Sequence, residues 1–309
     1  MPAVFKDKIR NREKGILSYG ITPPKRSMPA DKKDELAAKQ LARIASLCVD
    51  ALIVYDLQDE EDRNAGERPF PYLETEDPAK YMDDYFSSLE IPKIVYRCVG
   101  KYTGAEMEDW VHPTEAGDRY SVFVGAASSK GSADTLKLSD AYRIAAGRSS
   151  GFTLGGIIIP ERHARKGDEH LRVIEKTDMG CEFFVSQAVF HIEAAKNFIS
   201  DYYYHCLASS ITPVPMIFTV TPCGSPKTLE FLKWLGIFIP RWMENDLLHS
   251  EDILRKSIRL CEQIIAEIWN FSNELNLPVG FNIESVSTRK VEIEAATELV
   301  GIAKRIMGR

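Results

Sequence analysis

The chain has 309 residues, 44% of them hydrophobic and 27% charged, with a formal net charge of -6, enough apolar material for a sizeable core. An acidic balance without a long basic run argues against nucleic acid or an anionic membrane as main partner, and no window approaches the roughly 18 apolar residues of a membrane span. The opening "MPAVFKDKIRNREKG" is charged where a signal peptide is apolar, and six scattered cysteines form no C-x-x-C pair, so a cytoplasmic protein with reduced thiols is expected.

Short β-rich runs alternate with longer helical patterns along the chain. The first run, "GILSYGI" (15–21), ends in Gly20-Ile21-Thr22 before a double proline; a helix is expected over 30–47, with Leu36, Leu41 and Ile44 at helical spacing. The second strand (50–57) brings Tyr55 and Asp56 to its end and is followed by a long, charged, proline-containing loop at 58–78. The third (92–99) carries Tyr96 and Arg97, and the fourth (120–126) offers only Gly125, Ala126 and then Ser128.

The fifth strand (154–160) runs into "IPERHARKGDEH", a dense cluster of Glu161, Arg162, His163, Arg165, Lys166 and His170. A solvated charged loop is the plainer account of it. Two histidines and a carboxylate raise the question of a metal, but His-x6-His is no familiar helical ligand pair, and no metal is expected. A helix at 168–180 leads to the sixth strand (182–190), in which Gln187 interrupts an apolar run. A neutral amide there needs hydrogen-bond partners, internal ones or the amide-like edge of a ligand. Next come a helix at 193–208, a strand at 215–222, and a helix at 225–236 opened by Ser225 and Pro226. Cys223 lacks a marked histidine partner and reads as an inert thiol. An additional long helix, 250–275, precedes the eighth strand (279–286), which carries Asn282 and Glu284 on one side of the pleat.

Eight strands with helices between them, and no G-x-G-x-x-G anywhere, point to a (β/α)8 TIM barrel rather than an open doubly wound sheet. We therefore expect one domain over 1–309, with an extra helix before strand 8 and its chemistry at the C-terminal strand ends.

The stretches "IIIPERH", "IEKTDMGCEFFVSQAVF" and "VPMIFTVTPCGSPKTLEFLKWLGIFIPRW" resemble the methylenetetrahydrofolate reductase family in order and spacing over 155–245. "PPK" after the first strand and Asp62-Arg63 in the long loop extend the likeness faintly. The resemblance implies a barrel holding FAD at its mouth, with NADH or NADPH as reductant and hydride passed to 5,10-methylenetetrahydrofolate. By position it implies flavin contacts from Tyr55, Ile159, His163, Glu169, Arg172 and Lys176, and folate contacts from Gln187 and, more loosely, Arg289.

The departures matter as much. Gly20 stands where the family keeps its general acid, and "VGA" stands where it ends strand 4 in Arg-Gly-Asp. A positioned general acid contributes about 10²–10⁴-fold in rate, so a reductase would need a substitute; Asp56 is the first candidate and Glu284 the second. Loss of the aspartate leaves open a flavin bound differently or absent, with hydride coming directly from the nicotinamide. Two alternatives stand beside the reductase: a folate-binding or methyl-transferring barrel without flavin redox chemistry, and a catalytically silent subunit of a complex. A homo-oligomer is compatible with all three.

Overall fold

The computed structural model describes residues 5–60, 66–113, 117–125 and 136–309. Asp62, Arg63, Ala126 and Ser128 lie outside them. Eight parallel strands pair in chain order and close, β1 on β8: β1 (Leu17–Ile21), β2 (Ala51–Val54), β3 (Lys93–Cys98), β4 (Arg119–Val124), β5 (Phe152–Ile158), β6 (Phe183–Ala188), β7 (Met216–Val220) and β8 (Val279–Glu284). The helices are α1 (Phe5–Arg10), α2 (Ala30–Leu47), α3 (Pro78–Tyr85), α4 (Gly104–Val111), α5 (Leu138–Ala145), α6 (Pro160–Lys166), α7 (Glu169–Asp178) and α8 (Ile192–Ser209), then α9 (Pro226–Trp234), α10 (Arg241–Leu248), α11 (Ile253–Glu274) and α12 (Lys290–Met307). The expected (β/α)8 barrel is therefore the observed fold. No helix among the described residues is long and apolar enough to cross a membrane.

The apolar runs are buried on both faces because the sheet is wrapped on both. Inward side chains, among them Ile53, Ile94, Tyr120, Val122, Phe183, Val185 and Ile217, fill the barrel, and Phe5 and Ile9 of α1 join them from below. Phe5 meets the Tyr120 ring edge-on at 5.0 Å and Phe183 at 6.1 Å. Outward side chains form a second core against the helices.

Register explains a doublet in the sequence. Gly155 and Gly156 of β5 pair directly with Phe183 and Phe184 of β6. A Cβ on either glycine would lie 2.6 Å from the ring of its partner. One phenylalanine fills the barrel and the other the outer layer.

Three helices stand between β7 and β8. The long one, α11, packs against α8, α12, β7 and β8 through Ile258, Ile264, Ile265 and Ile268, so it is the barrel's own outer helix. The surplus is α9 and α10. Ser225 caps α9 by accepting from the Thr228 amide at 3.1 Å, as its sequence suggests.

Candidate functional site

A cavity of about 320 Å³ opens at the C-terminal ends of the strands. Its walls are mainly apolar, from Ile157, Ile159, Val124, Phe231 and Ile237, with Tyr55, Tyr96, Gln187 and Glu284 supplying polar groups. Volume and lining fit a small-molecule site. Four of the residues expected at the mouth from sequence, Tyr55, Ile159, Gln187 and Glu284, meet here, and the wall includes Asp56 as well.

Gln187 reaches the cavity through an irregularity. The register of β6 on β7 shifts between Val185 and Ala188, and Ser186 bridges the gap: its hydroxyl donates to the Gln187 carbonyl at 2.7 Å and accepts from the Thr219 amide at 2.8 Å. A bulge of this kind re-aims side chains, and Ser186 and Gln187, although consecutive, both line the cavity. The Gln187 Nε2 donates to the Leu235 carbonyl at 3.1 Å. That fixes the amide's orientation and leaves its oxygen available.

Glu284 ends β8 as the direct register partner of Gly20 on β1. A Cβ on Gly20 would lie 2.9 Å from the Tyr55 ring and 3.2 Å from Oε2 of Glu284, so the smallness of residue 20 makes room for both. Oε2 is buried and has no hydrogen-bond partner among the described residues. Burial pushes the Glu284 carboxyl up to about 7, against the restraining influence of Tyr55 and Asn282. Burial, reinforced by the Glu284 charge, in turn raises the Tyr55 hydroxyl well above its ordinary value. Tyr55 accepts from the Asn282 amide at 2.8 Å and packs edge-on against Tyr96 at 4.8 Å.

Asp56 is placed differently. Its side chain is wholly buried; one oxygen accepts from the Cys98 amide at 2.8 Å and the Tyr102 hydroxyl at 2.9 Å, and the other from the Lys101 ammonium. A carboxylate with three donors is a structural tie. The expected order of the two acids is therefore reversed, and Glu284 is the one with an uncommitted oxygen.

The remaining expected contacts do not line the cavity. After β5 the chain runs directly into α6 at Pro160, where the sequence suggests a loop; His163 lies on α6, Glu169, Arg172 and Lys176 on α7, and Arg289 at the start of α12. Glu169 accepts from the Ile159 amide at 2.9 Å and from Nε and Nη2 of the Arg162 guanidinium. Arg172 faces Asp168 at 3.4 Å, and the Lys176 ammonium donates to the Ile157 carbonyl at 2.6 Å. His163 lies 3.0 Å from Asp201. Arg289 donates to the Gly224 carbonyl at 3.1 Å and to buried Glu292 at 3.0 Å. Cys223 is buried, its thiol pushed up to about 12 by burial, in keeping with an inert role. Of the residues the resemblance assigns to a flavin, only Tyr55 and Ile159 border the cavity. The set does not fit a flavin held in that way.

One wall residue was not anticipated. Arg68, from the long loop after β2, lines the cavity with its guanidinium over Trp234 at 5.0 Å and over Phe231 and Tyr72 at 5.4 Å. Its Nε and Nη1 have no hydrogen-bond partner among the described residues. The loop is anchored near α9, where the Trp234 indole donates to the Gly66 carbonyl at 3.0 Å. The sequence shows a long, charged, proline-containing loop here, but nothing in it singles out this arginine.

No protein-family model and no curated protein matches the chain. A GH113 beta-1,4-mannanase complex aligns over 94% of this chain and 98% of its own, with 13% identity and a TM-score of 0.52; that likeness concerns the barrel fold alone. An uncharacterized protein from Clostridium thermocellum, which binds two copies of 5-methyl-5,6,7,8-tetrahydrofolic acid, aligns over 98% of this chain and 100% of its own, with a TM-score of 0.88. Membership of the methylenetetrahydrofolate reductase family does not follow from these matches. With 51% of aligned residues identical to the Clostridium thermocellum protein over nearly the whole length, the chain belongs to that protein's family.

Proposed function

We propose that this protein binds a reduced folate of the 5-methyltetrahydrofolate type in the cavity at the barrel mouth. The observation that carries the proposal is the 51% identity to a chain that binds 5-methyl-5,6,7,8-tetrahydrofolic acid. The cavity chemistry supports it. A pterin presents an edge of N–H donors beside a carbonyl acceptor, and the free oxygen of Gln187 and the carboxyl of Glu284 are suitable partners for it. The aliphatic and aromatic walls cover the ring faces, and Arg68 supplies the cation for the carboxylates of the glutamate tail. Arg289, the earlier candidate for that role, is already committed to Glu292.

Calorimetric titration of the full chain with 5-methyltetrahydrofolate tests the proposal, and saturable binding is expected. Arg68→Ala weakens it about tenfold, the loss of one charge-assisted contact, while leaving a tail-less methylpterin unaffected. An absence of binding by the intact chain would refute the assignment.

One observation favours a second reading, reduction of a methylenetetrahydrofolate by a nicotinamide. Glu284, with its raised pKa, sits beside the position where the resembled family keeps its acid, suited to protonate a folate nitrogen. In this reading NADH or NADPH is consumed when methylenetetrahydrofolate is added, and Glu284→Gln abolishes the consumption. Binding without consumption leaves the protein a folate binder or methyl-transfer component. The visible spectrum of the purified protein reports whether FAD accompanies it.

A further inference from the structure

Outside the cavity, the structure gathers imidazoles from three helices. His163 on α6 is 4% exposed, and its Nε2 lies 3.0 Å from Oδ2 of Asp201 on α8. The His170 ring, on α7, meets the His163 ring edge-on at 5.4 Å, and the His205 ring lies 5.6 Å from His170. The Nδ1 atoms of both His163 and His170 are buried and have no hydrogen-bond partner among the described residues.

An interior imidazole nitrogen without a partner is a cost that folded proteins avoid. Nε2 of His163 faces Oδ2 of Asp201, so an ion held between them would replace the proton the two now share. Two imidazoles and a carboxylate are a ligand set that borderline divalent ions accept. One ligand atom from each of His163, His170 and Asp201 lies within 4.8 Å of the others. That span is wider than a filled tetrahedral site of ~2.0–2.2 Å bonds. Asp201 is exposed and His170 partly so, which lets those two close on the fixed His163.

We propose that His163, His170 and Asp201, with His205 one helical turn beyond Asp201, form a zinc-type divalent metal site on the outer helical layer. The inference is independent of the folate assignment, because none of these residues lines the cavity. It also replaces the expectation of no metal, which rested on His-x6-His spacing along the chain; the third ligand comes from a helix that spacing does not reveal.

The test uses the tag-free, full-length chain, stripped with a chelator and titrated with zinc and with cobalt(II). One equivalent is expected to bind, with a rise in Tm and the visible absorption of low-coordinate cobalt. Asp201→Asn and His170→Gln alter side chains that are not part of the core. Each is expected to weaken cobalt affinity about tenfold or more without changing the circular dichroism or the metal-free Tm. Failure to bind one equivalent would overturn the proposal, as would wild-type affinity in both variants.

Discussion

Two carboxylates stand at the ends of the strands flanking β1, and their neighbours give them different chemistry. Asp56 is saturated by donors, whereas Glu284 keeps an unpartnered oxygen and a pKa pushed up to about 7 by burial. That value exceeds the roughly 4.3 of an unfolded chain, so the fold penalises the charged form. The penalty is absent below both values, grows between them and is complete above about pH 7. Glu284→Gln removes it. We expect the variant's Tm to exceed the wild type's by a few degrees at about pH 8 and to match it near pH 4, read by differential scanning fluorimetry; an equal difference at both pH values would contradict the assigned shift. Alternation along the last strand puts Asn282 and Glu284 on one side of the pleat but leaves Glu284 equally suited to the mouth or to capping a neighbouring helix, and an amide in an apolar run marks Gln187. The contact of Glu284 with Gly20, 264 residues away along the chain, exists only once the barrel closes. Arg68 was likewise illegible, because its position depends on Phe231 and Trp234 of a distant helix.

Among the elements, β5 and β6 illustrate how sheet register is written in residue size. The paired glycines and phenylalanines leave no room for a methyl group, since a Cβ on Gly155 would sit 2.6 Å from the Phe183 ring. Gly155→Ala should therefore destabilise the fold by about 1–3 kcal/mol, the usual cost of overpacking, read as a lower urea midpoint with unchanged slope. Phe183→Leu added to it should recover part of the loss, because the two positions touch; strict additivity would argue against a direct clash. The strands were legible because burial on both faces leaves nearly continuous apolar runs, and α2 because its apolar spacing and polar opening agree. The segment after β5 was less so. Its charges suggest a solvated loop, yet Pro160 begins a helix whose Glu161 and His163 are buried. Charge composition cannot distinguish an exposed loop from a helix whose ionisable groups pack into the layer outside the barrel.

For the whole molecule, closure of the barrel is reinforced by one carboxylate at the end away from the cavity. Asp50 accepts from the Lys8 ammonium of α1 at 2.8 Å, from the Leu17 amide of β1 at 2.8 Å and from both sides of the Arg309 guanidinium at 2.7 and 2.9 Å. Burial pushes its carboxyl up, but Arg309, Lys8 and the Leu17 amide outweigh that and leave it below its ordinary value. A depressed carboxylate contributes stability above the unfolded-state pKa of roughly 3.9, and loses it as pH falls through the folded value. Asp50→Asn should cost on the order of 2 kcal/mol at neutral pH and little in strong acid, read by urea unfolding at the two extremes; the same cost at both would disprove the electrostatic account. The helix that this clasp holds in place, α1, has a second effect. With Phe5 and Ile9 filling the floor of the barrel, the mouth is a blind-ended well. Whatever enters it must depart by the same opening, so one occupant has to leave before the next can take its place.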